Sequence, residues 1–193
     1  MMHRRAVVKA LLARRGRLLV VAGLGSTAWD CTAAGDSPLT FPMWGAMGNA
    51  AMVGLGLALA QPRRRVLVIT GDGEMLMGLG SLATIGVRKP RNLAVVVIDN
   101  ERYGETGMQE THTAKGVDLA KVALACGFGA GMQVRGKGEL AALRAAIHTA
   151  SGPLFAQVKV AAEKLPLALP PREGGLLKSR FRRALLGAGA DLD

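Results

Sequence analysis

Two short polar stretches stand directly after apolar, β-branched runs and carry oxygen ligands suited to a metal ion. The first is Gly71–Asp72–Gly73–Glu74, after Val66–Thr70; the second is Asp99–Asn100, after Leu93–Ile98. Glycines at such a turn let a ligand approach the backbone closely, and a helix starting beyond them offers free N–H groups to an anion. A carboxylate fixed between two glycines can hold a hard cation against a phosphate. Between Gly73 and Asn100 lie 26 residues, 74–99, which is one crossover helix plus one strand. In adjacent parallel strands this spacing puts Asp72 and Asn100 side by side at one edge. Mg²⁺ takes an octahedron of oxygens, one or two of them from side chains. The Asp carboxylate, the Asn amide oxygen and a main-chain carbonyl just past the Asn would supply the protein's share.

Holding those residues at a common edge requires parallel strands, and the pattern supplies them. Leu18–Ala22, Val66–Thr70, Leu93–Ile98 and Leu154–Val160 read as buried strands. Between them, Ala46–Ala60, Leu79–Val87, Leu119–Ala125 and Glu139–Ala150 read as helices. Asp118 can cap the third of these, and Gly127 stands where a left-handed stop is expected. Strands alternating with helices imply βαβ crossovers, hence an α/β fold: a doubly wound, mostly parallel sheet with helices on both faces. Ligands bind such sheets beyond the carboxyl ends of the strands, where both polar stretches fall. Residues 1–162 make up this domain. Pro166, Pro170, Pro171 and a basic run then mark residues 163–193 as a basic C-terminal tail.

The bulk composition narrows the function classes. A chain of 193 residues with 50% hydrophobic and 20% charged residues is one globular domain, not a disordered segment. Its formal charge of +11 invites a nucleic-acid reading. The basic residues are scattered, however, and lack the interleaved aromatics on which single-stranded bases stack; no nucleic-acid partner is expected. Cys31 and Cys126 stand far apart, outside any zinc or redox spacing, and read as free thiols in a reduced cytoplasm. Residues 37–62 carry no charge, but their prolines, glycines and Asn49 suit a buried helix better than a lipid-facing span. The run Leu18–Ala22 is too short for a leader peptide. A cytoplasmic protein without a membrane partner is expected.

Taken together, Gly71–Asp72–Gly73–Glu74 and Asn100 resemble the diphosphate–Mg²⁺ motif of thiamine-diphosphate enzymes. The likeness extends upstream to Gly45–Ala46–Met47–Gly48 and Gly54–Leu55–Gly56–Leu57–Ala58–Leu59–Ala60, which resemble the helix leading into that motif in 2-oxoacid decarboxylases. Downstream, Asn100–Glu101–Arg102–Tyr103–Gly104 resembles the family's loop over the phosphates. The texture is most similar to the small second subunits of sulfopyruvate and phosphonopyruvate decarboxylases, over residues 17–160. The resemblance implies Asp72, Asn100 and the Arg102 carbonyl as Mg²⁺ ligands, with Gly71, Gly73, Glu74, Tyr103 and Gly104 about the diphosphate of thiamine diphosphate. It also implies a second phosphate-contacting turn at Gly25 and Ser26, and an apolar support under the bent cofactor at Met47. Taken alone, Met47 reads as a core methionine at helical spacing; its place in Gly45–Ala46–Met47–Gly48 brings the two readings level. Glu74 departs from the Ser or Ala often found at its position.

The family activates its cofactor with a glutamate on a second, pyrimidine-binding domain, for which this chain has no room. The implied assembly is therefore a hetero-oligomer with a pyrimidine-domain subunit, decarboxylating a small acidic 2-oxo acid and inactive alone. Carboligation with the same cofactor and a non-catalytic cofactor- or nucleotide-binding module stay open. His112, in the polar loop 101–116, is a candidate substrate-side group. A dinucleotide site, suggested by Gly23–Leu24–Gly25, lacks its third glycine, since Ala28 stands there.

Overall fold

A computed structural model describes residues 1–191 of the chain. Helix α1 (Arg4–Leu12) leads into strand β1 (Leu19–Ala22), helix α2 (Ser26–Ala33), strand β2 (Thr40–Pro42) and helix α3 (Ala50–Ala60). Strand β3 (Val66–Gly71) runs straight into the short helix α4 (Asp72–Met77), followed by α5 (Ser81–Arg88) and strand β4 (Leu93–Asp99). A small hairpin, β5 (Arg102–Tyr103) and β6 (Gln109–Glu110), and a 3₁₀ turn at His112–Lys115 precede α6 (Leu119–Ala125). Strand β7 (Ala130–Val134), helix α7 (Lys137–Thr149), strand β8 (Leu154–Lys159) and helix α8 (Gly174–Leu186) complete the order, with a last 3₁₀ turn at Gly187–Asp191.

Six strands form one sheet in the order β2-β1-β3-β4-β8-β7, and every pairing in it is parallel. Because side chains alternate across a strand, each strand feeds two cores. Leu67, Ile69, Val96 and Val158 pack beneath α1, α2 and α7, while Val68, Val95, Val97 and Phe155 pack beneath α3, α5 and α6. The expected doubly wound sheet is present. Its four central strands match the four apolar runs to within a residue or two. The two outer strands did not stand out in the sequence: β2 contains Pro42 and β7 contains Gly131 and Gln133, tolerable only where one side of the strand is unpaired.

Among the helices, α6 coincides with its expected range, and the Asp118 carboxylate accepts the Lys121 N–H at 3.0 Å as its cap. The expected helix over Ala46–Ala60 begins only at Ala50. Ala46 (φ 59°) and Gly48 (φ 90°) take left-handed conformations that break the helix and leave Met47 on a loop. Two glycines allow close layer contacts. A Cβ on Gly54 would stand 2.2 Å from the Val68 side chain, and one on Gly86 would stand 1.7 Å from the Cys126 carbonyl oxygen. Within the basic C-terminal segment, α8 docks against the β2 edge. Phe181 meets Phe41 edge-on at 5.7 Å, Leu177 is buried and Arg180 pairs with Asp36. Among the described residues no helix is long and apolar enough to cross a membrane.

Candidate functional site

The register of the two central strands sets the site. β3 and β4 pair in parallel with Gly71 beside Ile98, so the residues that follow, Asp72 on one strand and Asp99–Asn100 on the other, emerge together at the carboxyl edge. Neither of the two aspartates is exposed: Asp72 is 2% and Asp99 0% accessible. Their surroundings differ sharply. Asp99 accepts bonds from Thr113 Oγ1 (2.8 Å), the Glu101 N–H (3.0 Å) and Gln157 Nε2 (2.5 Å), and pairs with Lys159 Nζ at 2.7 Å. That lysine also reaches Glu101, and these bonds hold its ammonium above the ordinary range against the effect of burial. Among side chains Asp72 receives only hydroxyls, Thr111 Oγ1 at 2.6 Å and Thr113 Oγ1 at 3.5 Å. No cationic side chain pairs with Asp72 among the described residues. Burial first, and the Asp99 charge second, push its carboxyl up to about 6; the Thr111 bond and the N–H of Asn100 oppose the shift.

Asn100 is half-buried beside it, its Oδ1 accepting the Arg102 N–H at 3.0 Å in a tight turn that sets Glu101 at φ 63°. The turn launches the β5–β6 hairpin, whose Tyr103 ring lies over Gly73. A Cβ on Gly73 would stand 2.7 Å from two carbons of that ring and 3.6 Å from the Met47 methyl. A side chain on Gly73 would therefore force the Tyr103 ring to move.

Glu74 points back under the β1 edge. Its Oε2 accepts Thr70 Oγ1 at 2.8 Å and occupies the space a side chain on Gly23 would need. Burial raises its pKa. The backbone N–H groups of Ala50, Leu24 and Gly48 face this carboxylate and favour its charge, yet Oε1 makes no hydrogen bond of ordinary geometry.

A single pocket joins these groups. Ser26, Met47, Gly71, Asp72, Gly73, Glu74, Asn100, Arg102, Tyr103 and Gly104 all line it, so ten of the residues singled out in the sequence meet at one place. Gly25 itself is not among the lining residues, although Leu24 and Ser26 on either side are; it takes φ 67°, with the Glu105 carboxylate where a side chain would go. His112 is exposed and lines no wall of the pocket.

Sequence reasoning missed three contributors. Thr111 and Thr113 orient the two aspartates from about 40 residues and 14 residues away; a Thr-x-Thr in a polar loop was their only signal. Arg4 lines the pocket from α1. Its guanidinium is buried against Asp30 (2.6 Å) and the Ser26 carbonyl (3.2 Å), a contact no local pattern announces.

Comparison with known proteins places the fold in a family. Residues 25–158 match the model of the thiamine pyrophosphate enzyme C-terminal TPP binding domain. The chain is 38% identical over 173 residues to a sulfopyruvate decarboxylase subunit beta of Methanothermobacter thermautotrophicus, covering 90% of each chain. A subunit of the same description from Methanocaldococcus jannaschii is 42% identical over 123 residues, 63% of this chain and 65% of that one. Phosphonopyruvate decarboxylase of Streptomyces viridochromogenes is 46% identical over 124 residues, which span 64% of this chain but only 31% of the relative. Among solved structures, benzoylformate decarboxylase from Polynucleobacter necessarius shares the fold with a TM-score of 0.69 at 19% identity, over 84% of this chain and 34% of that one. The chain belongs to the family of C-terminal, thiamine pyrophosphate-binding domains of thiamine pyrophosphate enzymes.

Proposed function

We propose that this chain is the diphosphate-binding subunit of a Mg²⁺-dependent, two-chain decarboxylase acting on a small, acidic 2-oxo acid of the sulfopyruvate or phosphonopyruvate type. The observation that carries the reading is the Asp72–Asn100 pair. A buried carboxylate has no cationic partner among the described residues, an amide oxygen lies beside it, and the neighbouring Gly71 leaves open space in the same pocket. That donor set is oxygen only, which suits a hard divalent cation better than zinc or copper. Asp72 and Asn100, with the Arg102 carbonyl, would hold the cation. The bare turn around Gly73 would let the diphosphate reach it, and Ser26 would face the far phosphate. When bound, thiamine diphosphate supplies the electron sink for loss of CO₂. The protein's task is to grip the phosphates and fix the rest by apolar contact from Met47 and Tyr103. Thr111 holds the Asp72 carboxylate in one orientation, so little ordering remains to be done when the ion binds.

Two features support a second chain. The pocket encloses only about 90 Å³, whereas small-molecule sites span roughly 300–1,000 Å³; another wall has to come from elsewhere. In addition, Trp44, Met52, Val53, Leu59 and Met77 are exposed on and around α3, which carries no charge on any face. An apolar patch of this kind marks an interface. The naming of several relatives as beta subunits supports the same assembly.

The test is calorimetric titration of the chain with thiamine diphosphate, in Mg²⁺ and in excess chelator. A loss of affinity of at least ~10-fold in chelator is expected, since the cation is the link between carboxylate and phosphate. Equal affinity in both buffers refutes the metal assignment.

A further inference from the structure

The pole of the sheet opposite the cofactor pocket carries a second concavity, of about 410 Å³. Two loops form it: residues 13–18, entering β1, and residues 61–65, entering β3. Arg14, Arg15 and Arg17 line it from the first loop, and Arg63, Arg64 and Arg65 from the second. His148, near the end of α7, closes one side. No carboxylate lines this cleft among the described residues.

Six guanidinium groups brought together without a counter-charge repel one another, so something must hold them. Three are fixed by neutral acceptors. Arg15 donates to Thr40 Oγ1 (2.6 Å) and to the carbonyls of Leu18 and Leu39 (2.9 Å each). Arg64 donates to the Arg17 carbonyl at 2.7 Å, and Arg65 to the Ala150 carbonyl. These bonds fix position and leave the charge uncompensated. Arg15 and Arg64 each retain a buried Nε without an acceptor. Burial, and secondarily the Arg17 charge, push the Arg64 guanidinium below its ordinary range, as expected of crowded cations. The other three, Arg14, Arg17 and Arg63, are exposed and form no ion pair among the described residues. Arg14 takes a left-handed φ of 56° to enter the turn, a conformation that non-glycine residues adopt only where the surroundings enforce it.

We propose that this cleft binds a small, multiply charged phosphate anion of the tripolyphosphate class, at a site separate from the cofactor pocket. A planar guanidinium donates two parallel N–H bonds to one phosphoryl group. Six guanidinium side chains lining one cleft therefore favour an anion with several adjacent phosphoryl groups over a single phosphate. The cleft is concave and lacks an aromatic platform, which disfavours single-stranded nucleic acid. Anchoring of Arg15, Arg64 and Arg65 by neutral oxygens fixes half of the cationic array before the ligand arrives, which lowers the ordering cost of binding, and the exposed Arg14, Arg17 and Arg63 complete it.

The probe is inorganic tripolyphosphate, titrated calorimetrically into the full chain at about 0.15 M salt, where weak surface attraction is screened. Chelator is present, so that no metal bridges the anion to the cofactor pocket. One-to-one binding is expected for the wild type. The combined variant Arg14→Gln/Arg17→Gln/Arg63→Gln, which alters only exposed side chains, is expected to bind at least ~10-fold more weakly through loss of charge-assisted bonds. Unchanged affinity in that variant overturns the proposal, because the anion then sits elsewhere, the cofactor pocket included. Absence of binding to the wild type overturns it as well. If the combined variant melts well below the wild type, the single variant Arg63→Glu replaces it, with the same two readings. A short single-stranded oligonucleotide that binds more tightly than tripolyphosphate, and loses that affinity in the same variant, overturns the small-anion assignment in favour of nucleic acid.

Discussion

Asp72 opens α4 directly after β3, Asp99 ends the neighbouring β4, and the two share the hydroxyl of Thr113, yet only Asp99 is neutralised, by Lys159. On the proposed reading the asymmetry divides their work: Asp99 braces the loop, and Asp72 holds the cation. Asp72→Ala is therefore expected to weaken Mg²⁺-dependent binding of thiamine diphosphate by ~100-fold or more, because it removes the one charged ligand. Calorimetry should show that chelator has no further effect on this variant. The raised carboxyl also sets a pH window. A proton and Mg²⁺ compete for Asp72, so cofactor affinity should fall as pH drops through about 6, and the fall should be absent in Asp72→Asn. For the metal-free chain the sign reverses. A folded-state pKa above the unfolded value of 3.8 gives stability that is complete below 3.8 and lost as pH rises through about 6. Met47 offers a different contrast, standing with Tyr103 against Gly73 on a loop instead of inside a helix. Met47→Ala should lower kcat of the assembled enzyme more than it raises the cofactor Kd, since it loosens ring geometry without touching the phosphate grip. If melting temperature falls while turnover per folded molecule is unchanged, Met47 is an ordinary packing residue. Asp72, Asn100 and the glycines were legible because a turn motif forces their spacing. Thr111 and Arg4 were not, because what makes them part of the site is contact across the fold.

At the scale of elements, legibility followed burial. Strands covered on both faces had to be continuous apolar runs, and β1, β3, β4 and β8 read out directly. The edge strands β2 and β7 escape that constraint, so their residues carry no strand pattern. Where a helix needs a chemical start, the sequence shows it, and α6 is the clear case. Burial alone would raise the Asp118 carboxyl, but the Lys121 N–H, Gln133 and the Lys121 charge outweigh it and hold the pKa below the ordinary value. Asp118→Ala should cost about 1 kcal/mol at neutral pH, the usual worth of an N-cap. A depressed pKa gives stability that is present above the unfolded value and lost as pH falls through the folded one. In chemical denaturation the gap between wild type and variant should thus close below pH 3.8. A gap that persists in acid assigns the effect to lost packing. The helix expected from Ala46 fails to start there because glycines and a left-handed alanine bend the chain, which frees the loop to carry Met47 into the pocket. Composition suggested helix; the tertiary demand of the site prevailed.

At the scale of the whole molecule, the decisive fact is what one chain can and cannot enclose. Asp72, Asn100 and the glycine turns line a pocket of about 90 Å³, far smaller than the roughly 300–1,000 Å³ of a typical ligand site. The neighbouring α3 presents Met52, Val53 and Leu59 to solvent with no charge among its eleven residues. A helix apolar on every side is ordinarily buried on every side, so a second surface should cover it in the working assembly. On the proposed reading the activating carboxylate comes from a pyrimidine-binding domain on another chain, which a second copy of the described residues would not add. The purified chain, given Mg²⁺ and thiamine diphosphate, is therefore expected to release no CO₂ from sulfopyruvate, phosphonopyruvate or pyruvate. Activity should rise only when a pyrimidine-domain chain is added, and should saturate at a fixed ratio of the two. Met52→Glu, which places a charge on the exposed face of α3, should weaken that complementation while leaving the melting temperature of the chain alone nearly unchanged. Turnover by the isolated chain at an ordinary enzymatic rate, on the order of 1 s⁻¹ or more, would show that the site is complete without a partner and overturn the split-site reading.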